Sequence, residues 1–125
     1  MKLQLAAGDP NHAIRRCARE NHAFSLVIGE TTYVQSLILT PEAVELWPVA
    51  EVAQLTRNEF ERLASLPVKV LLLGTGSRLC FPDPAITQPL MARGLGLEVM
   101  DTAAACRTYN VLLADGRQPG AALIA

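Results

Sequence analysis

The stretch Val68–Gly74, VKVLLLG, constrains the fold more than any other part of the chain. After Lys69 no polar side chain interrupts it. A strand with one wet face alternates polar and apolar residues, so a strand without alternation needs cover on both faces. Val70 and Leu72 are therefore expected to be buried, and the chain must supply a layer of structure on each side of this strand.

The flanking sequence shows where those layers come from. Asp83-Pro84 has the form of an N-cap followed by a first helical residue. Pro89 opposes a continuous helix, because it lacks an N–H and crowds the carbonyl of Ala85. Either a helix from Pro84 kinks, or the helix proper starts at Pro89. Gly94 is a natural terminator. Leu97–Met100 is a short second strand, and Asp101 or Thr102 caps a last helix that closes at Gly116. Ala105, Tyr109, Leu112 and Leu113 share one face of that helix, with Ala103, Arg107 and Asn110 opposite. Gly120–Ala125 is a terminal strand. Val68–Met100 is thus a βαβ unit, with a right-handed crossover if its strands are parallel.

The N-terminal half is β-rich. Phe24–Gly29, Thr31–Pro41 and Ala43–Val49 carry strand composition, and the prolines mark ends or an edge. Their spacing predicts an antiparallel meander. Thr56-Arg57-Asn58-Glu59 has the form of a capping box, and Phe60, Leu63 and Ala64 follow on one helical face. Leu66-Pro67 ends that helix. The predicted fold class is α/β with α+β character. It is one three-layer domain over residues 1–125, with a mixed central sheet containing the βαβ unit, helices on one side and the N-terminal meander.

Composition removes several functions. The 125 residues are 50% hydrophobic with a formal net charge of -1, which excludes disorder and disfavours nucleic acid, whose binders need a basic stripe. No run approaches the roughly 18–20 apolar residues that span a bilayer, so no membrane insertion is expected. MKLQLAAGDPNH has neither an apolar secretory core nor the look of a transit peptide. The expected compartment is a bacterial cytoplasm, or a mitochondrion only if a presequence has been removed. Cys17, Cys80 and Cys106 are odd in number and widely spaced. They read as small, partly buried thiols rather than as a disulfide framework or metal site. His12 and His22 read as surface histidines, and Trp47 as a core residue at a strand end or an exposed anchor. No cofactor is implied.

The glycine loop is the one candidate for chemistry. Gly74-Thr75-Gly76 lacks the lysine of a phosphate-binding P-loop, and Leu79 stands where the dinucleotide fingerprint needs its third glycine. The first expectation is therefore a turn that needs positive φ or a close backbone approach. Topology keeps a ligand reading open, because ligands of open α/β sheets settle at the carboxyl edge of the strands. Gly74, Thr75, Gly76 and Arg78 follow one strand there, and Asp101 and Thr102 follow the other. Arg107, Tyr109 and Asn110 lie further along the last helix. Arg107 could reach back to the loop carbonyls or fork a ligand's carboxylate or phosphate. Asp101 would itself occupy the helix N–H groups, and Tyr109 is most simply core with its hydroxyl partnered. Ser77 has no nucleophile elbow around it. Cys106 beside Arg107 could have a lowered pKa, although a packing role suits it better. No catalytic pair of carboxylates is present.

Together VLLLGTG, GLEVMDTAAACRTYNVLLADGR and the AALI ending resemble a small uncharacterised-domain family. It includes the mitochondrial complex I (NADH dehydrogenase) assembly factor 3 and many bacterial proteins of unknown function. The resemblance implies a three-layer β/α fold with a mixed central sheet. It also implies a non-enzymatic protein-binding or assembly module, since the mitochondrial member works through partner proteins. Pro89 departs from the usual pattern. The alternative expectation is a small-molecule or anion site at the sheet edge. The sequence does not specify an oligomeric state.

Overall fold

The computed structural model describes residues 4–5, 12–21 and 23–125. Strands β1 (Gln4–Leu5), β2 (Ile14–Glu20), β3 (Ala23–Ile28), β4 (Thr31–Tyr33), β5 (Leu37–Leu39) and β6 (Ala43–Leu46) precede helix α1 (Arg57–Ala64). Then follow β7 (Val70–Gly74), α2 (Pro84–Ala92), β8 (Gly96–Met100), α3 (Thr102–Ala114) and β9 (Pro119–Leu123). A six-stranded sheet runs in the order β1-β6-β5-β9-β7-β8, and β2-β3-β4 form a separate three-stranded antiparallel meander. β7 is parallel to both β8 and β9, while β5 is antiparallel to β6 and β9. The large sheet is therefore mixed.

β7 is covered on both faces, as its apolar run requires. Leu72 points into a core shared with the inner face of the meander (Leu26, Ile28, Tyr33) and with Ala105, Cys106 and Tyr109 of α3. Leu71 and Leu73 point the other way, against Phe60 and Leu63 of α1 and Leu90 of α2. Leu71, Leu72 and Leu73 are fully buried, but Val70, at the strand's start, is only half-buried.

Within the predicted class, the helices are distributed differently from expectation. α1 and α2 lie on one face, and α3 shares the other with the meander. Strand order supplies the reason. The step from β7 to β8 moves outward to the sheet edge, and the step from β8 to β9 moves back past β7. Two parallel crossovers of the same hand but opposite direction put their helices on opposite faces.

The Thr31–Pro41 run is two strands in different sheets. β4 ends the meander at Tyr33, and β5 enters the central sheet at Leu37. The chain changes layer through Val34, Gln35 and Ser36. Ser36 anchors the crossing: its carbonyl accepts the Trp47 N–H at 2.9 Å and its hydroxyl accepts the Ala125 N–H at 3.0 Å. β2, with three arginines in IRRCARE, carries no apolar run and gives no strand signal in the sequence.

Two local expectations change at the helices. Thr56 is the N-cap of α1, yet its side chain makes no capping bond. Glu59 instead accepts the indole N–H of Trp47 at 2.9 Å. Trp47 is only 2% exposed, so it is a core residue and not an anchor for a partner. A buried indole N–H needs an acceptor, and that demand takes Glu59 away from the box. α2 starts at Pro84, with Asp83 accepting the Ala85 N–H at 2.9 Å, and runs through Pro89. The missing N–H of Pro89 frees the carbonyl of Ala85. Arg57 of α1 reaches that carbonyl at 3.4 Å and Gln88 Oε1 at 3.0 Å. Arg62 pairs with Glu45, tying α1 to β6.

Substituting Glu59→Ala leaves the Trp47 N–H unpaired in the core, so chemical denaturation should show a loss of about 1–3 kcal/mol. Thr56→Ala should stay within about 0.5 kcal/mol. A larger loss for Thr56→Ala than for Glu59→Ala would restore the capping box.

Candidate functional site

The carboxyl edge brings together the loops after β7 and β8, and these lead to helices on opposite faces. This is the topology in which open sheets form a binding crevice. Here the crevice is filled by the chain's own hydrogen bonds. The Thr102 hydroxyl, fully buried, accepts the Gly76 N–H at 2.8 Å and donates to the Ile124 carbonyl at 2.6 Å. Its backbone N–H donates to the Gly76 carbonyl at 2.9 Å. Thr75 N–H donates to the Met100 carbonyl, and Ile124 N–H to the Gly74 carbonyl, both at 2.9 Å. The Thr75 hydroxyl turns back to the Arg78 carbonyl at 2.6 Å.

The two glycines have separate reasons. A Cβ on Gly74 would stand 3.0 Å from both Cα and Oγ1 of Thr102 and 3.1 Å from Leu123. The start of α3 thus packs directly on the β7 backbone. Gly76 adopts φ +95, a region that favours glycine, and this turn aims its N–H at Thr102.

Of the other sequence-selected residues, Asp101 and Arg78 lie at this edge, whereas Arg107, Tyr109 and Asn110 do not. Asp101 caps α3, accepting the Ala104 N–H at 2.9 Å. Arg78 is exposed on the loop. Arg107 is exposed and lines a cleft between α3 and β2, with no hydrogen bond to the glycine loop among the described residues. The face of α3 bearing Ala103, Arg107 and Asn110 is turned toward β2 instead. Asn110 accepts the Ile14 N–H and donates to the Ile14 carbonyl, each at 2.8 Å, and so clamps the meander to the helix. Tyr109 is core, as expected. Its hydroxyl has no partner among the described residues, contrary to expectation, and the same holds for Tyr33. Burial raises the Tyr109 pKa.

Cys17, half-buried, and Cys106, packed in the core, fit the expectation of small packing thiols, whereas Cys80, the acidity of Cys106 and His12 depart from it. Cys80 is exposed. Cys106 is buried and its thiol is pushed up, first by its hydrogen bond with Cys17 and then by desolvation. His12 is buried, its Nδ1 lying 2.6 Å from the Pro41 carbonyl. His22 lies outside the described residues. Among the described residues no three His, Cys, Asp or Glu side chains cluster as metal ligands. No helix there is long and apolar enough to cross a membrane.

Sequence reading missed Ile124, Asn110's grip on Ile14, and Cys17. The Ile124 and Ile14 contacts use backbone groups, which leave no trace in residue type. A depression of about 440 Å³ lies beside the closed crevice, between the Val52–Gln54 turn and the loop Thr75–Cys80. Leu79, which lines this depression, and Phe81, just beyond it in the connection from β7 to α2, are 55% and 70% exposed.

This arrangement is that of a small α/β domain whose sheet edge is sealed from within. It is similar to a solved Bordetella pertussis protein described as a Mth938-like domain, with TM-score 0.75 and 29% identity, covering 98% of this chain and 91% of that one. The chain belongs to the family described as "Protein of unknown function (DUF498/DUF598)", which it matches over residues 20–124. The solved Xanthomonas campestris protein XCC1710 is 37% identical with TM-score 0.70, covering 99% of this chain and 85% of that one. Among curated relatives, the mouse NADH dehydrogenase [ubiquinone] 1 alpha subcomplex assembly factor 3 is 35% identical over 89 residues, covering 70% of this chain and 48% of the relative. The chain thus spans about half the length of the mouse protein.

Thr102→Val preserves shape but strands a buried N–H and a buried carbonyl, so it should cost on the order of 2–4 kcal/mol in denaturant unfolding. Thr102→Ser should recover most of that. Asn110→Ala should cost about 1–3 kcal/mol and should lower amide-exchange protection in β2–β4 more than in β7. Uniform loss across both sheets would show that Asn110 is no clamp.

Proposed function

We propose that this chain is a non-enzymatic protein-binding module of assembly-factor type, working in a bacterial cytoplasm. The observation that carries this reading is the loop after β7. Its polar groups at Thr75 and Gly76 are committed to internal hydrogen bonds, while Leu79 and Phe81 on the same loop are turned to solvent. Large apolar residues beside a shallow depression make a suitable anchor pair for a protein partner. The naming of the mouse relative as an assembly factor supports the same reading.

The sheet-edge alternative, a small-molecule or anion site, loses its donors. Asp101 already caps the α3 N-terminus, and the Thr102 hydroxyl both donates and accepts within the fold. A ligand there would have to displace bonds that hold the chain's last strand.

Affinity capture with the tagged chain from its native cytoplasm should recover a partner stoichiometrically. The double variant Leu79→Ser, Phe81→Ser should lose it while keeping the wild-type melting temperature. Unchanged capture by that variant, or recovery of chaperones alone by the wild type, would sink the proposal.

A further inference from the structure

β2 carries a bulge between Ile14 and Arg16. Simple alternation from the inward Ile14 would turn Arg16 inward and Cys17 outward. The extra residue re-phases the strand. Cys17 then pairs with the fully buried Leu26 and shares its inward face. On α3, Cys106 and Asn110 are four residues apart, hence stacked on one face. Asn110 grips Ile14, and Cys106 meets Cys17 three residues further along the same strand. Cys17 packs against the core cluster that holds Cys106. Both cysteines line the cleft of about 270 Å³ between β2 and α3, together with Arg16, Ala103, Arg107 and Asn110.

The two thiols differ in access and in acidity. Cys17 is half-buried at the cleft, whereas Cys106 is 3% exposed behind it. The hydrogen bond from Cys106 outweighs the effect of burial and, with the Arg107 guanidinium, lowers the Cys17 pKa; the Asp101 carboxylate opposes this weakly. A partly exposed thiol in an electropositive setting is the nucleophile of such a pair.

We propose that Cys17 and Cys106 form a dithiol site for small anionic disulfides, with Arg16 and Arg107 holding the substrate's carboxylates. The Cys17 thiolate attacks one sulfur of the disulfide RS–SR. A Cys17–SR bond forms, the RS–SR bond breaks, and the departing RS⁻ takes up the proton that Cys17 lost. Cys106 then gives up its proton and attacks the Cys17 sulfur, releasing the second RS⁻, which takes that proton. Two protein thiols are oxidised to one disulfide, and one small disulfide is reduced to two thiols. The product links β2 covalently to α3 and locks the meander onto the sheet.

Treating the full chain with oxidised glutathione, followed by alkylation and peptide mass mapping, tests this. The wild type should yield a Cys17–Cys106 cross-linked peptide, and Cys80→Ser should yield it equally. Cys106→Ala should stop with one glutathione on Cys17, and Cys17→Ala should leave Cys106 unmodified. Arg107→Ala should slow the reaction with glutathione disulfide several-fold more than that with uncharged hydroxyethyl disulfide, which feels only the rise in the Cys17 pKa. Equal slowing with both reagents would overturn the anionic selectivity. Glutathione found on Cys80 alone, with Cys17 and Cys106 still open to alkylation, would overturn the site, and the wild-type map decides this even if a variant fails to fold.

Discussion

A single hydroxyl joins the C-terminal elements. Thr102 Oγ1 accepts from the loop after β7 and donates to the end of β9, while its own residue opens α3. Its position requires Gly74 to lack a Cβ and Gly76 to turn with positive φ. Strand, loop, helix and terminal strand therefore meet at one buried polar point, fully satisfied, where a half-satisfied one would be costly. That satisfaction also removes the chemistry that the topology would otherwise offer. The donors and acceptors of a switch-point crevice are present, and the chain uses them on itself.

A second junction holds the meander. The three-stranded sheet is short and would be marginal alone. It gains stability by facing its apolar side to α3 and the central sheet. Asn110 supplies a bidentate polar contact at the bulge of β2. The bulge does more than bend the strand. It selects Cys17 rather than Arg16 for the inner face, and so sets a thiol pair where alternation would have placed an arginine.

Legibility followed the range of the interaction. The apolar run of β7, the Asp83-Pro84 and Asp101 caps, and the glycine stops are local, and each element they define is present. The family, too, was visible in the GTG loop and the α3 segment. Thr56 and Glu59 matched a capping box in spacing, but the indole of Trp47, 12 residues before Glu59, competed for the carboxylate and won. Pro89 left two readings open; the helix runs through it, and Arg57 from another helix reaches the freed carbonyl. Arg107 had the reach for the glycine loop but the wrong face.

The sequence by itself determined a doubly covered central strand, a βαβ unit and a glycine loop with no phosphate-binding pattern. Those follow from side-chain period, proline and glycine stereochemistry, and short-range capping, all of which act within a few residues. Tertiary structure alone decided which face each helix takes, where Thr31–Pro41 changes sheets, that the crevice is closed, and that Cys17 faces Cys106 from the far end of the chain. These depend on strand order, on a bulge and on backbone groups meeting across the fold, and backbone groups are the same in every residue type.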